Sequence, residues 1–168
     1  MDFKINFRPD LDYYKEAYSE LIKTNWVKRF EPLFATIMIL FSIGLWYFDH
    51  NNKLGIFPIL FGALGVFEFI KVYTSRTKWI NDRVKSGVTG QELQLQFTDD
   101  LIIHSGPFSN GDIKWNGLKS IGQTEKGLIL KPEKGTVIYL PKTKFESKDQ
   151  IDFIINKGRK MKSAQQSL

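Results

Sequence analysis

Hydrophobic positions along this chain follow three successive patterns. Phe3, Ile5 and Phe7 alternate with polar neighbours, which predicts a short half-buried strand ending at Pro9. From Asp10 the interval lengthens. Leu11, Tyr14, Tyr18, Leu21, Ile22 and Trp26 recur at helical spacing with charges opposite, and Asp10 or Asp12 can cap that helix. Two almost uninterrupted apolar runs come next, Pro32 to Phe48 and Leu54 to Tyr73, parted by Asp49-His50-Asn51-Asn52-Lys53. A bilayer core about 30 Å thick takes about 20 helical residues, so the second run is long enough and the first is short. The polar interruption is long enough to reverse direction between antiparallel helices. The prediction is a transmembrane helical hairpin over residues 32–73.

Thr74 to Ser86 continues as a charged helical connector that Gly87 should end. The period then drops to two. Leu93, Leu95 and Phe97 alternate with Gln, followed by apolar stretches at 101–103, 113–115, 118–121, 128–130 and 137–140. Asp99-Asp100, Gly106-Pro107, Ser109-Asn110-Gly111, Asn116-Gly117, Lys126-Gly127 and Glu133-Lys134-Gly135 supply the turns. Short strands at such intervals predict a small antiparallel β-barrel or sandwich. An amphipathic helix closes it, with Ile151, Ile154 and Ile155 on one face and a capping-box pattern in Ser147-Lys148-Asp149-Gln150. The expected fold class is therefore membrane α+β. Its segments are a strand and helix in 1–31, the hairpin in 32–73, the connector in 74–87, a β domain with its helix in 88–162, and a disordered tail in 163–168.

The β domain has the outline of a pleckstrin-homology-like (PH-like) barrel, one strand short. Residues 3–7 can supply that strand if both ends of the hairpin emerge on the same side. The whole order resembles the YcxB-like family of bacterial membrane proteins. The resemblance rests on Phe97-Thr98-Asp99-Asp100-Leu101, on Ile113-Lys114-Trp115-Asn116-Gly117-Leu118, and on Val137-Ile138-Tyr139-Leu140-Pro141-Lys142 with Phe145 and the last helix. It implies a cytoplasmic PH-like domain and brings no catalytic chemistry with it.

Charge orients the hairpin. Lys28 and Arg29 precede it and Lys71, Arg76 and Lys78 follow, whereas the connecting loop has Lys53 offset by Asp49. By the positive-inside rule both termini face the cytoplasm of a bacterial inner membrane. Trp26, Trp46, Tyr47, Tyr73 and Trp79 fall where interfacial rings settle. A soluble hairpin with a very apolar core and a re-entrant hairpin are the competing readings. The net charge of +6 arises after the hairpin, where residues 74–168 hold sixteen basic and ten acidic side chains. Anionic lipid accounts for such a charge without nucleic acid. Lys142, Lys144, Lys157, Arg159, Lys160 and Lys162 are the candidate lipid contacts.

Within the apolar runs Glu68 is the one acid, with Lys71 at i+3; a satisfied pair at headgroup level and an intramembrane polar site are both open. Gly55, Gly62 and Gly65, with Ala63, offer small surfaces for close helix approach. The chain has no cysteine, which removes disulfides and thiolate chemistry. No leader pattern opens it, so insertion falls to the internal apolar block. His50 and His104 lie in a predicted outer loop and a strand, Asp99-Asp100 reads as a turn, and Trp115 reads as core. No metal or cofactor is expected. The function expected is a non-enzymatic, membrane-anchored interaction module for a protein partner or anionic lipid, with homo-oligomers open. The alternative is an accessory subunit of a transport or channel assembly.

Overall fold

The computed structural model describes residues 1–49 and 53–166, with side chains as far as residue 160. The chain divides into a soluble unit of residues 1–21 and 82–168 and a hairpin unit of residues 22–81.

In the soluble unit, strand β1 (Phe3–Phe7) and helix α1 (Leu11–Lys23) precede the hairpin. After it come β2 (Leu93–Phe97), β3 (Leu101–Ser105), β4 (Asn110–Lys114), β5 (Leu118–Gln123), β6 (Gly127–Pro132), β7 (Ile138–Pro141) and the last helix. The strands form two antiparallel sheets, β1-β2-β3-β4 and β5-β6-β7. This is not the closed barrel that was one reading of the strand pattern. The reason lies at Trp115–Gly117, where Trp115 is predicted to end a strand and Asn116-Gly117 to form a turn. These residues instead form a short 3-10 turn that moves the chain between sheets, leaving β4 and β5 unpaired. The turn drops the Trp115 ring into the core, 6 % exposed, where its Nε1–H donates to the Thr98 carbonyl at 3.0 Å.

The strand before the hairpin completes the sheet formed after it. Phe3, Ile5 and Phe7 pair with Phe97, Leu95 and Leu93, and this alternation turns all six toward the interior. The core lies between the sheets, and Leu118, Leu128, Leu130 and Leu140 line it from the second one. Helix α4 (Lys148–Gln166) adds a fully buried Ile154 to the core, with Phe153 edge-on to both Phe3 and Trp115. Gly158 lets the helix approach β5, since a Cβ there would stand 3.0 Å from Ile121. The Gln150 side chain accepts from the Glu146 N–H, one residue ahead of the expected capping position. Helix α4 continues through residues 163–166, where a disordered tail is predicted; residues 167 and 168 lie outside the described residues.

Helix α1 is capped by Asp10, whose carboxylate accepts the Tyr13 N–H at 2.7 Å. It packs on the outer side of the second sheet. There Ile129 and Tyr139 are register partners facing away from the core, yet they are 0 % and 2 % exposed.

In the hairpin unit, α2 runs from Trp26 to Phe48 and α3 from Phe57 to Lys85. Helix α2 starts six residues before the predicted Pro32. Asn25 caps it, and Pro32 sits inside the helix, where it forfeits a hydrogen bond and its ring crowds the carbonyl of Lys28. At 1.5 Å per residue its 23 residues extend about 34 Å, the first turns carrying Lys28, Arg29 and Glu31 ahead of the apolar run. Helix α3 absorbs the predicted connector without a break, and Gly87, at φ +79°, follows its end. Gly62 and Gly65 face α2. A Cβ on Gly65 would lie 2.7 Å from an Ile39 side-chain atom and 3.2 Å from the Ala35 carbonyl oxygen. The Ser42 hydroxyl donates across to the Pro58 carbonyl at 2.6 Å. Gly55, by contrast, belongs to the turn before α3, and Ala63 is exposed. Of the five polar residues predicted to reverse the chain, His50, Asn51 and Asn52 lie outside the described residues.

Candidate functional site

The hairpin exposes its hydrophobic side chains. Only 6 % of the most apolar window of α2 and 11 % of that of α3 is buried, and both helices are long and apolar enough to cross a membrane. Phe34, Leu40, Ile59 and Phe67 are each more than half exposed, as are Trp46 and Tyr73 nearer the ends. A soluble hairpin with an apolar core would bury these positions. Here the helices turn much of their apolar surface outward.

Glu68 and Lys71 form the expected one-turn pair, Nζ standing 3.0 Å from Oε2 and 3.2 Å from Oε1. The acid in the apolar run therefore carries its counter-charge on its own helix.

Two of the six candidate lipid-binding cations make contacts within the fold. Lys142 turns inward, its ammonium donating to the Thr124 and Glu125 carbonyls at 2.9 and 2.8 Å and so capping the β5–β6 turn. Lys157 donates to the Asp99 carbonyl at 2.7 Å, pairs with the Asp99 carboxylate and covers the Phe153 ring. Both are used in holding turns. Lys144, Arg159 and Lys160 are exposed; the side chain of Lys162 lies outside the described residues.

Asp99 sits in the tight β2–β3 turn and faces both Lys157 and the terminal amine of Met1 at 2.8 Å. These two cations hold its carboxyl below the usual carboxylate range. His104 lies in β3 with its ring over Gly111, and His50 lies outside the described residues. Among the described residues no group of three or more His, Asp or Glu is placed to hold a metal ion.

One polar cluster was not foreseen. The Tyr13 hydroxyl donates to the Tyr139 carbonyl at 2.7 Å, and the Tyr139 hydroxyl donates to Glu16 Oε1 at 2.7 Å. Glu20, one turn further along α1, is 1 % exposed, and Lys126 lies 3.9 Å from Glu16. The signal was present in the sequence as Tyr13 and Glu16 one turn apart on α1. Nothing local, however, pairs them with a strand more than 120 residues later. Burial raises the pKa of both tyrosines, and at Tyr139 the hydrogen bond to Glu16 raises it further.

A raised folded-state pKa means that the neutral hydroxyls stabilise the fold below the ordinary tyrosine value near 10. Above it the unfolded chain releases protons that the folded chain retains, and stability falls. The expected loss is up to about 1.4 kcal/mol per pH unit for each tyrosine. Alkaline unfolding of the full chain in detergent, followed by near-ultraviolet circular dichroism, should be less steep above pH 10 in Tyr139→Phe. An unchanged slope would remove Tyr139 from the linkage.

No curated protein and no solved structure matches the chain. A family model does. The model described as YcxB-like protein matches residues 97–157, from the last residue of β2 into α4, and over that segment the chain is similar to that family.

Proposed function

We propose that this chain is a non-enzymatic, membrane-anchored interaction module. The two-sheet unit acts as a PH-like domain held at the cytoplasmic face of a bacterial inner membrane by a two-span hairpin. The observation that carries the reading is the way β1 and β2 pair. The chain leaves the first sheet after one strand, runs through two helices with exposed apolar surface, and returns to add the neighbouring strand. A sheet shared in this way requires both ends of the hairpin on one side of a bilayer. The same requirement suits a re-entrant hairpin; the length and apolar composition of both helices favour a span.

Four strands, three strands and a closing helix are the parts of a PH-like domain, and the N-terminal strand supplies the one missing after residue 88. Its role is recognition. Lys142 and Lys157 hold turns while Lys144, Arg159 and Lys160 are exposed, and we take a protein partner as the first choice and anionic lipid as the second. Solubilisation in mild detergent at native expression level, followed by mass spectrometry, tests this. A partner recovered in fixed ratio supports the module. A chain recovered without other proteins, but bound to anionic vesicles in a salt-dependent way, returns the role to lipid. A large transport complex in fixed ratio would make it an accessory subunit instead.

A further inference from the structure

The first sheet ends at β4, and its open edge is complementary to itself. The Gly106 N–H bonds the Ser109 carbonyl at the tip of the β3–β4 hairpin. Hydrogen-bonded pairs then recur at every second position, at His104–Gly111 and Ile102–Ile113. The backbone groups of Asn110, Asp112 and Lys114 therefore point away from β3, and these three residues are the exposed ones in the strand. An unpaired edge of this kind is a template for another strand.

Two copies related by a twofold axis would pair antiparallel, using only those outward-facing residues. Three registers satisfy that and keep at least three residues of each strand in the pairing. Centred on Gly111, the pairing sets Asn110 against Asp112 and brings no opposite charges together. Centred on Asp112, it sets two aspartates directly opposite one another, which is repulsive. Centred on Ile113, it makes two hydrogen-bonded pairs, Asp112 with the partner's Lys114 and Lys114 with the partner's Asp112. On the other face it brings the two half-buried Ile113 side chains together. The outward residues of β1, Lys4 and Asn6, allow no such opposite pair.

We propose that β4 joins two copies of this chain edge to edge in the register centred on Ile113, making one continuous eight-stranded sheet. Confinement to a membrane would raise the local concentration of copies and favour so small a contact.

Because the chain has no cysteine, one substitution can report on the register. In a non-hydrogen-bonded antiparallel pair the Cα atoms lie about 4.5 Å apart, inside the range a disulfide bridges. Full-length Ile113→Cys in native membranes should form a disulfide dimer under mild oxidation, and Lys134→Cys, exposed in the β6–β7 turn, should not. Ile113 touches the core, so a second measurement leaves it in place: energy transfer between differently labelled full-length copies. Asp112→Lys should weaken association about tenfold, and adding Lys114→Asp should restore it. Energy transfer that ignores the charge reversal, or its absence at every density, overturns the proposal. So does an Ile113→Cys chain that cross-links to another protein and not to itself.

Discussion

A chain beginning at residue 88 is expected not to fold, and adding residues 1–21 should restore it. Without β1 the core loses Phe3, Ile5 and Phe7, which are 9 %, 2 % and 6 % exposed. Burying a side chain of this size is worth about 1.5–3 kcal/mol, so the three together approach the 5–15 kcal/mol that holds a typical domain. The edge of β2 also loses its ladder, and with α1 gone Tyr139 loses its contacts with Tyr13 and Glu16. Residues 88–168 should therefore aggregate or show no cooperative urea transition. Residues 1–21 joined to 82–168 through a Gly/Ser linker of about 15 residues, which reaches about 20 Å, should give a soluble protein with a single transition. A cooperative transition from residues 88–168 alone would mean that β1 decorates the sheet and does not complete it.

That dependence explains which parts of the fold could be read from the chain. Five of the six strands after the hairpin were legible because each alternates or runs apolar between turn residues; β4 was read only at Ile113-Lys114, because Asn110-Gly111, predicted as a turn, lie inside it. The role of Phe3, Ile5 and Phe7 was legible only by counting strands, since no local signal says that they meet Phe97, Leu95 and Leu93 some 90 residues on. Helix starts were harder. The start of the apolar run drew the boundary at Pro32, while the true cap is Asn25, whose side chain accepts the Lys28 N–H, ahead of a charged first turn. Trp115 read as strand because its neighbours do, but the chain needs a corner there.

Candidate sites were less legible than the fold for a physical reason. Lysines close in sequence read as one basic surface, whereas the structure sends Lys142 to the β5–β6 turn and Lys157 to the β2–β3 turn. A long, flexible side chain takes its role from the nearest carbonyls and carboxylates, which only the tertiary fold supplies. Glu68 and Lys71 were legible because one helical turn already decides their contact.

Phe97→Ala should be the most damaging single substitution in the soluble unit. The ring is fully buried, stacks on Phe3 at 5.0 Å and lies 6.2 Å from Trp115. It is therefore where the strand before the hairpin, the strand after it and the corner between sheets meet. Truncating a buried Phe costs about 3–5 kcal/mol, and little here can move in to fill the space, because both neighbours are rings held by strand register or by an indole hydrogen bond. In the linker-joined soluble form the urea midpoint should fall sharply with an unchanged slope. Gln96→Ala is the control. Its side chain lies on the opposite face of the same strand, paired in register with Lys4 and Ile103, and should cost under about 0.5 kcal/mol. If the two substitutions cost the same, the core is not organised around Phe97. A large loss for Phe97→Ala alone would mean that the sheet begun before the hairpin and finished after it has a single hydrophobic centre.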